Sequence, residues 1–236
     1  MKYSLLLVLV SIILSAHADP IESKHMISIS TGFGIPLKQY PDYLKLGPCV
    51  KLSYDYQFYK NFTLLTVFNS NIFKLSSRPE YPTTESEYWN DPNLSCNLKG
   101  NPISFYSLQL GIGYSMPINK FSFKLIASGG GMSGLYPSTR LDNYYNDLLF
   151  YQQFKSSTNV ISLCYNFGIN INYKLSDKFC LKINSDYCGT SFKIKDFETT
   201  HIFYNNASET LIYKQKDSFT EKVRIFNTSL GIGYMF

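Results

Sequence analysis

Bulky apolar residues alternate with small or polar ones along several stretches of the chain. Residues 106–116 place Tyr, Leu, Ile and Met at every second position, with Ser, Gln and Gly between them. Residues 159–173 and 222–236 follow the same two-residue period. Because successive side chains of a strand point to opposite faces of a sheet, this period predicts strands with one bulky apolar face and one small polar face.

The same pattern, divided by turn residues, predicts eight strands, at about 25–36, 47–58, 62–73, 103–117, 121–131, 159–173, 179–192 and 222–236. Short turns flanked by aromatic residues alternate with long polar connections, at 37–46, 74–102, 132–158 and 193–221. Single-chain outer-membrane barrels sort their connections in this way, with short turns at one rim. The predicted fold is an all-β, eight-stranded antiparallel up-and-down transmembrane β-barrel with short periplasmic turns and long extracellular loops.

The first 18 residues have the composition of an export signal. A positive start at Met1-Lys2 is followed by an apolar run from Leu5 to Leu14 and by small residues up to Ala18. The run is too short to cross a bilayer as a helix, which takes roughly 20 residues. We expect cleavage after Ala18, which leaves residues 19–236 as one barrel domain in the outer membrane of a Gram-negative bacterium.

Alternation alone does not say which face of the barrel is inside. A soluble barrel of the lipocalin type turns its apolar face inward, whereas a membrane barrel turns that face toward lipid. The ring-flanked turns, the sorted connections and Phe236 at the end of the sequence favour the membrane barrel, with outer-membrane lipid as its surroundings. The net charge of +5 is spread without a basic stripe, so we expect no nucleic-acid partner.

Eight strands leave an interior that side chains just fill, so no open water channel is expected. The strand parity points five charged side chains into this interior: Lys51, Asp55, Lys124, Lys182 and Asp186. Because an isolated buried charge is costly, opposite charges should pair there. We predict an internal polar network that includes these five residues and that fixes strand register and fills the lumen. A conducting or proton-relay role is the alternative.

Five cysteines in an exported chain raise the question of disulfides. If the sixth and seventh predicted strands pair symmetrically about Ser176, Cys164 faces Cys188 directly across the hairpin, and both point inward. A cross-strand disulfide would then be geometrically feasible. Free buried thiols acting as small apolar fillers are the alternative.

Catalytic and metal-binding patterns are scarce. Beyond the predicted signal only His25 and His201 remain, and the predicted topology puts them at opposite ends of the barrel. A hydrolase or acyltransferase would need His beside Ser with an acid to orient it, and no H-E-x-x-H or Cys-x-x-Cys motif is present. We therefore expect no enzyme activity, no metal and no cofactor.

Two of the long connections are rich in aromatic residues. Rings among Asn, Asp and Ser suit contact with an extracellular protein or a glycan, since a ring offers a flat apolar surface beside polar groups. The alternative is that these rings pack on one another and cap the barrel mouth. The candidate contact residues are Tyr88, Trp89, Tyr144, Tyr145 and Tyr151.

Three segments resemble strands of the small outer-membrane β-barrel superfamily, which includes OmpA- and OmpX-type proteins and PorT-like single-domain barrels. They are Ile29-Ser30-Thr31-Gly32-Phe33-Gly34, Leu108-Gln109-Leu110-Gly111-Ile112-Gly113-Tyr114 and Leu230-Gly231-Ile232-Gly233-Tyr234-Met235-Phe236. The last of these also resembles the terminal strand that the barrel-assembly machinery reads. That resemblance implies an insertion signal at Tyr234 and Phe236, with this machinery as a partner during biogenesis.

For function, the resemblance implies a structural or surface-interaction role through the extracellular loops. An accessory role in an outer-membrane secretion or transport complex is the alternative that PorT-like members imply. A lipid-modifying barrel enzyme is a third, less favoured reading.

Overall fold

The computed structural model describes residues 24–37, 44–74, 94–145, 148–204 and 210–236. The predicted signal peptide and two of the candidate contact residues, Tyr88 and Trp89, lie outside these ranges. In the described part of the chain, no helix is long and apolar enough to cross a membrane.

The described residues form eleven strands. They are β1 (His25–Pro36), β2 (Gly47–Tyr59), β3 (Phe62–Phe73), β4 (Leu94–Gly100), β5 (Ile103–Ile118), β6 (Phe121–Tyr136), β7 (Thr139–Tyr145), β8 (Leu148–Lys155), β9 (Thr158–Lys174), β10 (Phe179–Tyr204) and β11 (Thr210–Met235).

Eight of these strands close into an antiparallel barrel in the ring order β1-β2-β3-β5-β6-β9-β10-β11. The ring closes where β11 pairs with β1, in a register that runs from Met26↔Met235 to Pro36↔Ile225. The predicted eight-stranded all-β fold is confirmed. The predicted bounds of the first three strands agree with the structure to within one residue.

Apolar side chains cover the outside of the barrel. Leu110 is 68% exposed and Leu163 is 83% exposed, whereas the polar Gln109 beside Leu110 is 1% exposed. The same alternation of exposed apolar and buried polar residues runs along β1, β2 and β9. Such a wide exposed apolar surface requires a hydrocarbon environment, so the barrel spans a membrane and the lipocalin arrangement is excluded.

The two ends of the barrel differ. One end, here called the turn rim, carries the short connections at residues 60–61, 119–120 and 175–178. Aromatic rings pack in pairs along it, with Phe62 5.1 Å from Tyr114 and Phe121 4.9 Å from Tyr173 between ring centroids. The opposite end, here called the loop rim, carries the long connections.

The long connections contain strands that the sequence did not reveal. The prediction that residues 132–158 and 193–221 lie entirely in loops is wrong, because β6 continues to Tyr136, β7 and β8 follow it, and β10 and β11 each run for 26 residues. β8 pairs with the far part of β10, β7 with β8, and β4 with β7. Together with residues 197–204 of β10 and 210–217 of β11, these strands form a five-stranded outer sheet beyond the loop rim.

The error has a physical cause. Within the bilayer most outward side chains of a strand are apolar, and that preference creates the pattern used to recognise strands. Beyond the loop rim the outward face meets water, so residues 193–204 and 210–222 carry Lys, Thr and Glu at outward positions while the backbone pairing continues. The strands go on after their sequence signal has ended.

Candidate functional site: the barrel interior and the outer sheet

An ionic cluster lies in the barrel interior toward the turn rim. Lys124 of β6 places its Nζ 2.8 Å from Asp55 Oδ2, and the Nζ of Lys182 on β10 lies 3.7 Å from the same oxygen. Lys182 also donates hydrogen bonds of 2.9 Å to the hydroxyl oxygens of Ser28 and Ser53. All three charged residues are at most 5% exposed, so neither the two amines nor the carboxylate have water to replace these partners.

A second ion pair lies farther from the turn rim. Lys51 Nζ is 2.6 Å from Asp186 Oδ1, and Asn227 Nδ2 donates to the other oxygen of this carboxylate at 3.3 Å. The structure therefore buries all five charged residues named from the sequence inside the barrel and pairs them in two groups. Lys51 and Asp55 both belong to β2, whereas Lys124 and Asp186 belong to strands that are not neighbours of β2 in the ring.

Apolar clusters lie on both sides of this network along the barrel axis. Near the turn rim, Met26, Cys180 and Met235 pack together. Near the loop rim, Phe105 stacks on Phe192 with ring centroids 6.0 Å apart and 10° between the ring planes. Other members of the cluster around these rings are Leu44, Phe73, Ile103, Met132, Cys164, Cys188, Ile194, Val223 and Ile225. The buried charges thus lie between these two apolar clusters, and a third cluster of Leu65, Val67 and Ile126 lies beside Asp55, which pairs with Leu65.

The two cysteines proposed as a disulfide do not face each other directly. Cys188 is paired with Asn166, and Cys164 with Thr190. The hairpin is centred on Asp177, one residue after the predicted centre at Ser176, so each partner is shifted by two residues. Diagonal neighbours of this kind have Cα atoms about 7–8 Å apart, farther than the usual span of a disulfide. Both are buried free thiols, and Gln109 Nε2 lies 3.4 Å and 3.7 Å from their sulfur atoms.

Tyr151 lies inside the outer sheet and contacts its neighbours there. Its hydroxyl is 2.7 Å from His201 Nδ1, and its ring lies 4.9 Å from that of Phe203. Burial raises the pKa of Tyr151. Tyr144 is half-buried on β7; Tyr145 lies on the same strand, and its side chain falls outside the described residues.

The two histidines in the described ranges lie at opposite ends of the molecule. His25 at the turn rim has its Nδ1 2.8 Å from the Tyr54 hydroxyl, whereas His201 belongs to the outer sheet. In the ranges that the structure covers, no group of three or more His, Cys, Asp and Glu comes together to hold a metal ion.

A buried carboxylate in the outer sheet was missed in the sequence. Asp142 of β7 has a fully buried side chain, whose Oδ1 accepts hydrogen bonds from Arg140 Nε at 2.7 Å and Gln152 Nε2 at 2.9 Å. Lys99 Nζ lies 3.8 Å from its other oxygen. The hydrogen bond to Asp142 raises the pKa of Arg140 above its usual value. The alternation Arg140-x-Asp142 would have indicated this pairing only if residues 139–145 had been recognised as a strand.

Comparison with known proteins gives similarity of shape at low sequence identity. No family model matches the chain, and no curated protein matches it. Ail, the attachment invasion locus protein of Yersinia pestis, is 15% identical with a TM-score of 0.44, and the match covers 91% of this chain and 99% of that chain.

Two further solved structures are similar to the chain. Neisserial surface protein A is 12% identical with a TM-score of 0.46, over 91% of this chain and 98% of that chain. A major outer membrane protein from Thermus thermophilus is 13% identical with a TM-score of 0.48, over 90% and 99%. These proteins are small outer-membrane β-barrels, the superfamily that the sequence resembles. At these values the fold assignment rests on the strand pairing described above.

The Lys51–Asp186 pair allows a test of what buried charge contributes to stability. Asp186→Asn leaves the Lys51 ammonium buried without its counter-charge, so we expect the free energy of unfolding to fall by about 3–5 kcal/mol. The double variant Lys51→Met/Asp186→Leu removes both charges and should lose much less. Urea titration in phospholipid vesicles, followed by the gel mobility of folded and unfolded barrel, measures both values. A double variant as unstable as Asp186→Asn would contradict the pairing.

Proposed function

We propose that the protein is an integral outer-membrane barrel of a Gram-negative bacterium with a closed, non-conducting lumen and no catalytic activity. Its role is structural or one of surface interaction, with the outer sheet as the contact surface for an extracellular protein or glycan. The observation that carries this proposal is the combination of buried ion pairs and apolar clusters inside the barrel with a sheet that continues beyond the loop rim.

The layered interior supports the closed lumen. A hydrated ion entering from the loop rim would first meet the rings of Phe105 and Phe192, and then the paired charges around Asp55 and Asp186. Moving charge through an apolar plug carries a large desolvation cost. The plug and the ion pairs therefore act as two barriers in series.

The outer sheet supports contact with a partner over simple capping of the barrel. Apolar side chains just after Thr210, where β11 begins in the outer sheet, remain open to solvent. Leu211 is 66% exposed, Ile212 61% and Tyr213 55%. Exposed apolar and aromatic groups beside polar ones are typical of contact surfaces.

The pairing of β11 with β1 supports the proposed roles of Tyr234 and Phe236 in insertion. The backbone of Phe236 exchanges hydrogen bonds with His25, at 2.9 Å and 3.1 Å, and its ring lies 5.9 Å from that of Tyr234. Both rings belong to the seam that closes the barrel, so a strand recognised during assembly is also the strand that completes the ring. The export signal in residues 1–18 and the barrel-assembly machinery as partner belong to this proposal.

Planar-bilayer recording tests the closed lumen. The purified protein should give no sustained open conductance, and the variant Phe73→Ala/Phe105→Ala/Phe192→Ala should also stay closed because the ion pairs remain. A wide porin inserted under the same conditions provides the positive control. Steady single-channel openings from the unaltered protein would show that the lumen conducts.

Epitope insertion tests location and orientation. Tyr204 and Thr210 form the last pair of β10 and β11, at the far end of the outer sheet. A tag placed between them in the sequence should be labelled by antibody on intact cells. The matched tag between Asn119 and Lys120 at the turn rim should be labelled only after the outer membrane is opened. Labelling of the turn-rim tag on intact cells would reverse the proposed orientation, and labelling of neither tag after opening would contradict the location.

Exposed residues of β11 allow a test of the contact role. Intact cells that display the protein should bind at least one member of an array of extracellular-matrix proteins and glycans. Leu211→Ser/Tyr213→Ser should weaken that binding at least about tenfold, because exposed apolar and aromatic groups dominate such contacts. Leu175→Ser, an exposed apolar residue at the turn rim, is the control and should change nothing. Equal binding by cells that lack the protein would leave only the structural role.

A further inference from the structure

Three cationic side chains lie close together where β10 and β11 pass the loop rim. Lys222 is paired with Ser191, and Lys193 is paired with Thr220, so Lys222 and Lys193 are diagonal neighbours, about 7–8 Å apart. Arg224 follows two residues after Lys222 on the same strand and points to the same face. These three residues are here called the basic patch.

The basic patch lies on the outer surface of the barrel. Val223 and Ile225, which flank Arg224, are at most 2% exposed and belong to the interior cluster near the loop rim. Phe192, which precedes Lys193, is fully buried in the same cluster. Because successive side chains of a strand point to opposite faces, Arg224 and Lys193 point away from the interior.

The position of the basic patch along β11 coincides with the edge of the hydrocarbon. From Phe236 back to Phe226, the outward positions are apolar except for Thr228. Ten residues at about 3.3 Å each, tilted by about 40°, rise roughly 25 Å, the usual height of the apolar band of a membrane barrel. Arg224 is the next outward residue beyond this band, and Lys222 follows it into the headgroup region.

Carboxylates of the chain do not neutralise the basic patch. In the ranges that the structure covers, none of its three cations lies within ion-pair distance of a carboxylate. Glu221 lies on the opposite face of β11, and Glu198 is paired with Lys214, with 3.6 Å between Oε1 and Nζ. The exposed Asp196 lies beyond the patch, in the β-bulge of β10, next to Lys195. The patch is therefore open to an anion from outside the chain.

Two tyrosines adjoin the basic patch. Tyr165 of β9 is paired with Gly189 of β10, and Gly189 is paired with Arg224, so the three residues form one row on the outer face. The hydroxyl end of Tyr165 lies over Gly189, where any side chain would collide with it, and so points from β9 toward β11. The ring of Tyr187 lies 6.2 Å from that of Tyr165. Tyrosines at a membrane interface place the ring in lipid and the hydroxyl among headgroups.

We propose that the basic patch binds the phosphate monoester of a lipid in the outer leaflet, with the hydroxyl of Tyr165 as a further donor. The acyl chains of such a lipid lie along the apolar band, and its phosphate is thereby held at the height of Arg224. A phosphate monoester carries nearly two negative charges and suits three cations better than a phosphodiester with one. Near hydrocarbon the attraction between these charges is screened less than in bulk water.

The inference rests on the proposed function, because the patch meets the outer leaflet only if the loop rim faces the outside of the cell. It adds a specific lipid site on the barrel wall to the proposed contact surface on the outer sheet.

Native mass spectrometry of the folded protein in mild detergent tests the ligand class. The probes are bisphosphorylated lipid A, which carries phosphate monoesters, phosphatidylglycerol, which carries a phosphodiester, and phosphatidylcholine, which has no net charge. Lipid A should bind at least about fivefold more tightly than phosphatidylglycerol and at least about tenfold more tightly than phosphatidylcholine. Inorganic phosphate in about a hundredfold excess should not displace it. Equal binding of the three lipids, or displacement by inorganic phosphate, would overturn the proposal.

Two triple variants remove the same positive charge at opposite rims of the barrel. They are the patch variant Lys193→Gln/Lys222→Gln/Arg224→Gln and the control variant Lys60→Gln/Lys120→Gln/Lys178→Gln, whose three lysines are exposed at the turn rim. The patch variant should bind lipid A at least about tenfold more weakly, and the control should stay within about twofold of the unaltered protein. Gel mobility checks that each variant is folded.

Unchanged binding in the folded patch variant, or an equal loss in both variants, would refute the site. Such a result would leave the epitope and conductance results standing, so failure of the lipid site is distinguishable from failure of the proposed function.

Discussion

In hydrocarbon every backbone N–H and C=O must find its partner within the protein, so a sheet that crosses a membrane has to close on itself. Here that closure is the pairing of β1 with β11. Once the ring is closed, its outer face must be apolar, and the polar half of each strand is forced into a narrow interior. The buried ion pairs follow from this, because charges such as Lys51 and Asp186 cannot reach water and must meet each other.

The same constraint explains where the fold changes character. Beyond the loop rim water can satisfy free strand edges, so the sheet no longer has to be closed. β10 and β11 leave the ring as one long hairpin, and β8, β7 and β4 add to its edge. Since β10 is fixed inside the barrel through Lys182 and Asp186, the outer sheet is attached to a strand that is anchored by buried charge. The barrel thereby positions the outer sheet.

Sequence reasoning succeeded where one physical rule governs every residue. The barrel strands were predicted to within one residue for β1 to β3 because lipid imposes apolar side chains at each second position. The same parity pointed the five interior charges inward. Sequence reasoning failed to recognise the strand that carries Asp142 and Arg140, because both faces of that strand tolerate polar residues and alternation carries no signal there. It also misplaced Cys164 relative to Cys188, because parity gives the face of a strand but not its register, which the turn after Lys174 decides.

The difference between the barrel interior and the outer sheet determines where such a chain could acquire a binding site. Residues of the barrel interior are coupled to one another across the ring, since changing Asp55 would leave both Lys124 and Lys182 without their counter-charge. Exposed residues at the junction with the outer sheet, such as Asn101 and Ser138, lie beyond the lipid-facing part of the strands, so they can change without exposing backbone to lipid. A ligand site is therefore easier to build at this junction than in the lumen. A cavity of about 520 Å³ lies at that junction, beside strands that the barrel holds in place.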